Sequence, residues 1–275
     1  MRRIVVFLVD GLRADAVSPG VMPSLYALGA EFTVALRAST VRPSGTVPAL
    51  ASLATGVAPA THHLTEPGLS FLSTLGFLRP VARELAHHGI PTEVVTADLG
   101  PSGLAVAWGL ASRAGARLLV ASGQPPRETA GAVDQLLSQR RDRLYFVYLP
   151  GCDRAGHAHG WMSQPYLDAA TEVDAAIGAL AAWTADTVFV ITADHGGGGI
   201  TPTRHDEVHP DNERIPLIVA GPGVKRRHHL ARSVSLLDVP ATALWWFGVP
   251  VPQSYEGQPL SEAFAQATRA TAVAI

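Results

Sequence analysis

The sequence predicts an α/β protein in which a mostly parallel central sheet carries helices on both faces. Short β-branched or apolar runs alternate with longer stretches rich in alanine and leucine, the strand–helix alternation of parallel sheets. The apolar fraction is 47% and the formal net charge is −2. A 275-residue chain of this composition can bury a large core. We expect one domain over residues 1–275, with no wholesale disorder and no nucleic-acid footprint.

Six runs bounded by Gly, Pro, Asp or Ser are interpreted as strands. They are Ile4 to Val9, Thr92 to Thr96, Arg117 to Ala121, Leu144 to Leu149, Thr187 to Thr192 and Ile215 to Ala220. The first run imitates the apolar part of a signal peptide, but Asp10 and Arg13 interrupt it. We therefore interpret it as a strand.

The stretches between these runs are interpreted as helices or loops. Helical character is found in Thr46 to Ala54, Pro80 to His88, Glu128 to Gln139, Gln164 to Trp183 and Leu236 to Trp246. Segments too rich in glycine, proline and histidine for regular structure are interpreted as loops: Ser39 to Gly45, Pro150 to Ser163 and Ala193 to Arg214. The adjacent pairs His62-His63, His87-His88 and His228-His229 are expected on the surface.

Composition also limits the metal chemistry and the location of the chain. Cys152 is the only cysteine, so any metal must be bound by His, Asp or Glu. The apolar stretch from Gly103 to Ser122 contains Arg113 and Arg117 and so falls short of the roughly 20 apolar residues that a bilayer-spanning helix requires. We expect a soluble, cytoplasmic protein without a membrane partner.

Several potential metal ligands follow the predicted strands. Asp10 follows the first strand, Asp153 and His157 lie shortly after Leu149, and Asp194-His195 follows Thr192. The carboxyl ends of parallel strands meet at one edge of a sheet, where ligands usually bind. Carboxylate and imidazole together suit Zn²⁺ or Mn²⁺. Asp10 would complete one site, and a histidine from the loop with His205 and His209 would complete the other.

Thr46 precedes an alanine- and leucine-rich helix in which Pro48 fits the first turn. Its hydroxyl would lie at a helix N-terminus, where free N–H groups favour an anion such as a phosphoryl group. A threonine alone in this place is typical of a helix cap. Near a cation, however, the hydroxyl becomes a nucleophile.

Five segments, in this order along the chain, resemble the alkaline phosphatase superfamily, and within it the type I phosphodiesterase/nucleotide pyrophosphatase-like branch. They are Leu8-Val9-Asp10-Gly11-Leu12-Arg13, Pro43-Ser44-Gly45-Thr46-Val47-Pro48, Asp153-Arg154-Ala155-Gly156-His157-Ala158-His159-Gly160, Thr192-Ala193-Asp194-His195-Gly196 and Ile215-Pro216-Leu217-Ile218-Val219-Ala220-Gly221-Pro222-Gly223. The resemblance implies an alkaline-phosphatase-like fold.

The resemblance also implies a ligand set for two divalent metal ions, Zn²⁺ or Mn²⁺. Asp10, Asp194, His195 and the Thr46 oxygen would surround one ion. Asp153, His157 and a later histidine would surround the other. The spacing to Ile215-Pro216 resembles the family pattern most when that histidine is His205, with His209 as the alternative.

The implied activity is hydrolysis of a small phosphorylated substrate through Thr46 and a phosphothreonine intermediate. Diesters and nucleotide-type pyrophosphates are the substrates expected first. Monoesters, phosphonates and phosphoryl transfer to another alcohol are the alternatives, and a catalytically silent metal-bound scaffold is a further one. This chain has no Asn where the nucleotide pyrophosphatases place one, about twenty residues after the nucleophile. Thr46-Val47-Pro48-Ala49-Leu50 also lacks the arginine of the sulfatase motif. Substrate selection is expected from residues 100–109, 161–165 and 200–204.

Overall fold

The structure is a computed structural model that describes residues 2–35, 37–65, 78–97, 99–121, 126–138, 142–183 and 186–265. Its centre is an eight-stranded sheet with the order β10-β2-β9-β7-β1-β6-β4-β5. The strands are β1 (Arg3–Val9), β2 (Thr33–Ala35), β4 (Thr92–Thr96), β5 (Arg117–Val120), β6 (Arg143–Leu149), β7 (Thr187–Thr192), β9 (Leu217–Ala220) and β10 (His228–Leu230).

The register of the central strands aligns their carboxyl ends. β1 pairs in parallel with β6 on one side and β7 on the other, so that Val9 lies opposite Leu149 and Leu8 opposite Thr192. Every residue of β1 and β7 is buried, as expected for strands covered on both faces. The side chains that follow these strands therefore meet at one edge.

Two groups of helices cover the sheet. In the first, α1, α6 and α7 contact α8; in the second, α2 contacts α4, α5 and α10. The helices are α1 (Pro23–Glu31), α2 (Thr46–Thr55), α3 (Pro59–His62), α4 (Val81–Ala86), α5 (Gly100–Ala114), α6 (Pro126–Leu137), α7 (Gly151–His159), α8 (Gln164–Trp183), α9 (Pro210–Glu213) and α10 (Asp238–Phe247). Among the described residues, no helix is both long enough and apolar enough to cross a membrane.

The predicted α/β class and mostly parallel sheet are confirmed, with one strand reversed. The run from Ile215 to Ala220 is two strands, β8 (Arg214–Ile215) and β9, because Pro216 cannot donate to a strand ladder. β9 runs antiparallel to β7 and β2. β8 belongs to a small second sheet with β3 (Ala38–Ser39) and β11 (Val234–Ser235).

The predicted loop from Pro150 to Ser163 is wrong for most of its length. Residues Gly151–His159 form α7, and the internal Gly156 did not prevent helix formation because tertiary packing overrides its weak propensity. Residues 100–109, expected in a substrate-selecting loop, likewise lie within α5. The prediction of surface histidines is wrong for His62, which is fully buried.

Candidate metal centre

Three aspartates converge where β1, β6 and β7 end. Asp10 directly follows β1, Asp194 follows β7 by two residues, and Asp153 lies in the first turn of α7, just after β6. Backbone hydrogen bonds fix this arrangement: Asp10 N donates to Leu149 O (3.0 Å) and Asp153 N donates to Asp10 O (2.9 Å). The sheet register thus brings together carboxylates that are far apart in sequence.

His195 lies among these carboxylates and is fully buried. Its Nε2 is 3.2 Å from Asp10 Oδ1, 3.7 Å from Asp194 Oδ2 and 4.0 Å from Asp153 Oδ1. Two overlapping sets of potential ligand atoms result, each with all its atoms within 4.8 Å of one another: Asp10 with Asp194 and His195, and Asp153 with His195 and His205. Such spacing is compatible with two neighbouring cations.

Thr46 faces this cluster from the N-terminus of α2. Its Oγ1 lies 3.3 Å from His195 Nε2 and 3.5 Å from Asp10 Oδ1, to which it donates. Gly45 precedes the helix and Pro48 occupies its first turn, as the sequence predicts. The threonine oxygen is therefore placed at the carboxylate edge, where the helix N-terminus favours an anion.

Backbone carbonyls orient the rings of three histidines. Nδ1 of His157 lies 2.9 Å from Thr203 O, Nδ1 of His195 lies 2.7 Å from Gly196 O, and Nδ1 of His205 lies 3.3 Å from Ser44 O. A carbonyl accepts a hydrogen bond, so each Nδ1 carries the proton and each neutral ring keeps its lone pair on Nε2. This is the tautomer that binds a metal through Nε2.

All three Nε2 atoms face Asp153. Asp153 Oδ1 lies 3.3 Å from His157, 3.9 Å from His205 and 4.0 Å from His195. A neutral Nε2 lone pair facing a carboxylate is repulsive unless a proton or a cation lies between them. His157 is the outermost of the three, with 47% of its side chain exposed, and it belongs to neither mutually close set.

His209, the alternative to His205 in the sequence, is used elsewhere. Its Nδ1 accepts a hydrogen bond from Asp211 N (3.2 Å) and so caps the short helix α9. A Cβ on Gly199 would clash with the His209 ring. Neither set of potential ligands includes His209, whereas His205 Nε2 faces Asp153.

Two carboxylate oxygens in the cluster are buried without a hydrogen-bond partner. They are Asp153 Oδ1 and Asp194 Oδ2. The other oxygen of Asp194 accepts from Gly11 N (3.1 Å) and His195 N (3.0 Å). Buried polar atoms are nearly always paired, so unpaired carboxylate oxygens opposite imidazole lone pairs fit divalent cations. The oxygen and nitrogen donors suit Zn²⁺ or Mn²⁺.

The electrostatics show the same need for positive charge. Burial, reinforced by the charge of Asp10, raises the pKa of Asp153 to about 7 and that of Asp194 well above its usual value. Burial would lower the pKa of His195, but the charges of Asp194 and Asp10 raise it to about 10. For Asp10 itself, burial is outweighed by His195, and the pKa is lowered. Without cations, protons partly neutralise this cluster.

His205 differs from His195 in its protonation. Burial, assisted by the nearby His195, lowers the pKa of His205 to about 4. The two rings are stacked with centroids 3.8 Å apart, so only one of them readily carries a positive charge. A neutral His205 is ready to bind a cation at neutral pH.

Trp161 and Tyr148 support the cluster; the sequence placed Trp161 only in a substrate-selecting segment and did not single out Tyr148. Trp161 donates its Nε1–H to Gly11 O (2.8 Å), and its ring centroid lies 5.1 Å from His157 and 5.8 Å from His205. A Cβ on Gly197 would clash with its ring. Tyr148 donates its hydroxyl to Asp10 Oδ2. The run of glycines after His195 thus leaves space for the indole that packs behind the histidines.

Solved structures with the same fold belong to the alkaline phosphatase superfamily. The phosphonate monoester hydrolase SpPMH from Silicibacter pomeroyi matches with a TM-score of 0.70 and 19% identity, covering 94% of this chain and 76% of that one. An alkaline phosphatase superfamily protein from Vibrio parahaemolyticus matches with a TM-score of 0.74 and 17% identity, covering 98% and 71%. The chain therefore has an alkaline-phosphatase-like fold, as its motifs predict.

The sequence profile of the type I phosphodiesterase / nucleotide pyrophosphatase family matches residues 4–68 and 105–234, which are most of the chain. The chain belongs to this family. Among curated proteins, GPI ethanolamine phosphate transferase 1 of Candida glabrata is 35% identical over 88 residues, 30% of this chain and 9% of that protein. The Saccharomyces cerevisiae protein is 36% identical over 92 residues, 31% and 10%. These alignments span about a tenth of the relatives' length.

Proposed function

We propose that the chain is a two-metal phosphoric ester hydrolase in which Thr46 is the nucleophile. One observation carries this proposal: Thr46 Oγ1 lies at a helix N-terminus, 3.3 Å from His195 and 3.5 Å from Asp10 in a buried carboxylate–imidazole cluster. Family membership is compatible with it, because the family profile covers both the Thr46 segment and the segments with Asp10, Asp153 and Asp194.

The two mutually close sets supply most of the residues assigned to the metals, and Thr46 and His157 are added because their side chains contact Asp10 and Asp153. Asp10, Asp194, His195 and the Thr46 oxygen would hold one ion, and Asp153, His205 and His157 the other, with His195 close to both. Divalent cations here would neutralise charge on the phosphoryl oxygens and lower the pKa of an oxygen nucleophile.

The residues of this chain then divide the reaction between them. Thr46 Oγ1 loses its hydroxyl proton and forms a bond to phosphorus while the bond to the leaving oxygen breaks; the leaving oxygen gains a proton, which gives phosphothreonine and the free alcohol. The N–H groups at the start of α2 face the non-bridging oxygens. A water molecule then attacks phosphorus, its oxygen enters the product phosphate, and the threonine hydroxyl is restored. In the resting site, Asp10 Oδ1 accepts a hydrogen bond from the Thr46 hydroxyl.

A second candidate is a phosphotransferase, in which an alcohol rather than water takes the phosphoryl group from Thr46. The specific observation in its favour is the 35–38% identity to fungal GPI ethanolamine phosphate transferases over about 90 residues. Both reactions share the phosphothreonine, so the choice depends on which acceptor reaches it.

Metal-loaded protein assayed with p-nitrophenyl mono- and diesters tests the proposal. We expect hydrolysis with Zn²⁺ or Mn²⁺, and a loss of at least about 10³-fold in Thr46→Ala with metal content unchanged. Thr46→Ser keeps the hydroxyl and should retain part of the rate. Phosphate found on the Thr46 peptide after quenching would identify the intermediate.

Adding primary alcohols to the same assay separates the two candidates. A phosphotransferase gives a phosphorylated alcohol in excess of free phosphate, whereas a hydrolase gives phosphate at all alcohol concentrations below the molar range. Absence of turnover with every ester and metal, in protein that binds two metals, would contradict both and favour a silent scaffold.

A further inference from the structure

An apolar cavity of about 400 Å³ lies beside Thr46, between α2, α5 and the sheet face of β4 and β6. Val47 and Leu50 contribute from α2, Val106 and Ala107 from α5, and Phe146 from β6. None of the described residues that line it carries a charge. Its volume is in the range of small-molecule binding sites, and its chemistry suits a hydrocarbon.

The cavity and the metal cluster share two residues. Thr46 and Tyr148 both line the cavity, and both hydrogen-bond to Asp10, Thr46 through Oδ1 at 3.5 Å and Tyr148 through Oδ2. A phosphorus atom next to Thr46 Oγ1 would therefore lie beside the cavity. One substituent of a phosphoester at Thr46 can enter the cavity while its phosphate stays at the carboxylate edge.

The few polar atoms of the cavity limit what can bind there. Thr92 and Thr96 line the cavity from β4, and the Oγ1 atoms of both are buried without a hydrogen-bond partner. Because both oxygens are buried, they add almost no exposed polar surface to the cavity wall, which suits a hydrocarbon chain. A nucleobase, in contrast, presents several donors and acceptors that an uncharged, mostly aliphatic wall would leave unpaired.

We propose that the substrate is an amphiphilic phosphoester whose hydrocarbon chain occupies this cavity while its phosphate faces Thr46. This inference rests on the proposed function, and it names the substrate class. Apolar burial then contributes to substrate affinity in proportion to chain length, until the cavity is full.

A series of alkyl p-nitrophenyl phosphodiesters, from methyl to dodecyl and used below their micelle concentrations, tests the inference in the wild-type protein. We expect kcat/KM to rise up to about three- to fourfold for each methylene that becomes fully buried, and then to level off. Equal kcat/KM for the methyl and dodecyl esters would overturn the inference and leave the proposed function intact.

A matched pair of substitutions on α5 locates the effect. Ala107 lines the cavity, whereas Ala105, two residues earlier on the same helix, is exposed and does not. Ala107→Trp should reduce the dodecyl-to-methyl ratio of kcat/KM to near one, and Ala105→Trp should keep the wild-type ratio. A lower dodecyl-to-methyl ratio in Ala105→Trp than in Ala107→Trp, or the same ratio in both variants, would mean that the hydrocarbon chain binds elsewhere and would contradict the inference.

Binding measured by calorimetry separates this inference from the proposed function. Dodecylphosphonate should bind the metal-loaded protein at least about tenfold more tightly than methylphosphonate, and Ala107→Trp should remove that difference. This result together with no ester hydrolysis would reject the hydrolase and retain the cavity as a binding site. Equal affinities for the two phosphonates would reject the cavity whatever the catalytic result.

Discussion

Charged side chains are buried at the amino ends and at the carboxyl ends of the central strands, here called the amino edge and the carboxyl edge of the sheet. The two edges balance this charge differently. At the amino edge, Arg3 pairs with Asp186 and Arg143 with Glu93, so each positive group has a negative partner from the chain. At the carboxyl edge, Asp10, Asp153 and Asp194 surround His195. These are three carboxylates around one imidazole with a raised pKa.

Buried polar atoms without hydrogen-bond partners occur at both edges, but the charges around them differ. Arg3 Nε, Arg143 Nε and Glu93 Oε2 lack hydrogen-bond partners, yet each belongs to a group that forms an ion pair through another atom. At the carboxyl edge the surplus is a net negative charge, which no hydrogen bond removes. Buried charges that are paired within the chain indicate a structural role. An excess of buried carboxylates over positive groups indicates a site for a cation from outside the chain.

The largest expected effect comes from neutralising one carboxylate at each edge. Glu93→Gln leaves the buried Arg143 without its partner, and we expect a loss of about 3–5 kcal/mol in the free energy of unfolding with metal content unchanged. Asp194→Asn removes like-charge repulsion, so the metal-free protein should be no less stable, while metal content falls.

Denaturant unfolding of the metal-free variants, together with element analysis of loaded protein, measures both effects. If Asp194→Asn destabilises the metal-free chain as much as Glu93→Gln does and still retains its metals, the two edges do not differ as described.

The position of the carboxyl-edge residues could be predicted where they follow recognisable strands, because parallel strands end at the same edge of a sheet. Asp10 and Asp194 follow strands that the residue pattern predicts, and this rule brings them to one edge. The sequence predicts Asp153 and His157 as neighbours within a loop, and the structure places His157 Nε2 3.3 Å from Asp153 Oδ1 within a helix. Their i, i+4 spacing serves equally in α7, where both side chains lie on one face.

The remaining features depend on tertiary contacts that leave no local pattern. β2, β3, β10 and β11 have two or three residues each, too few for a periodicity of two to appear. Trp161 packs against two histidines of the site, but nothing in its neighbours along the chain indicates these contacts. His62 and His63 are adjacent, and only the packing of α3 against α2 distinguishes the buried ring from the exposed one.

Removal of metal by a chelator should destabilise the protein more at high pH than at low pH. In the metal-free fold the pKa of Asp153 is raised from 3.8 to about 7, so the folded state binds more protons than the unfolded state between these values. Stability of the metal-free protein therefore falls as the pH rises from about 4 to about 7. Metal binds only the deprotonated ligands, so its stabilisation increases over the same range.

Melting temperatures of loaded and chelated protein measure this difference. We expect the gap between them to be wider at about pH 8 than at about pH 5.5, by at least about 4 °C. A gap that narrows as the pH rises would show that the carboxylates are already neutralised within the chain, as at the amino edge.

Trp161→Phe should weaken metal binding by about 10- to 100-fold, the usual effect of losing a residue that orients metal ligands. The phenyl ring cannot donate to Gly11 O and fills less of the space against His157 and His205. Competition with a chromophoric chelator measures the affinity, and the indole fluorescence of the wild-type protein should change on metal addition. Trp108→Phe is the control, since Trp108 is 66% exposed on α5. Equal affinities in the two variants would limit Trp161 to a packing role.

The smallest expected effect concerns His62, a buried titratable group that lies at neither edge. Its Nδ1 accepts from Leu64 N at 2.9 Å, so its Nε2–H donates to Ser52 Oγ at 2.9 Å. Protonation would place a second hydrogen opposite the Leu64 N–H. Burial, as the main cause, lowers its pKa from 6.5 to about 4.

The unfolded state therefore binds the additional proton first, and the stability contributed by neutral His62 is lost as the pH falls from about 6.5 to about 4. This slope is opposite in sign to that of the metal-free carboxylates. His62→Gln keeps one donor and one acceptor but does not titrate, so the stability difference between wild type and variant should shrink by about 1 kcal/mol from about pH 7.5 to about pH 5.5. A constant difference across that range would mean that His62 has the same pKa in the folded and unfolded states, and a difference that grows as the pH falls would mean that the fold binds the proton more tightly, as it does at His195.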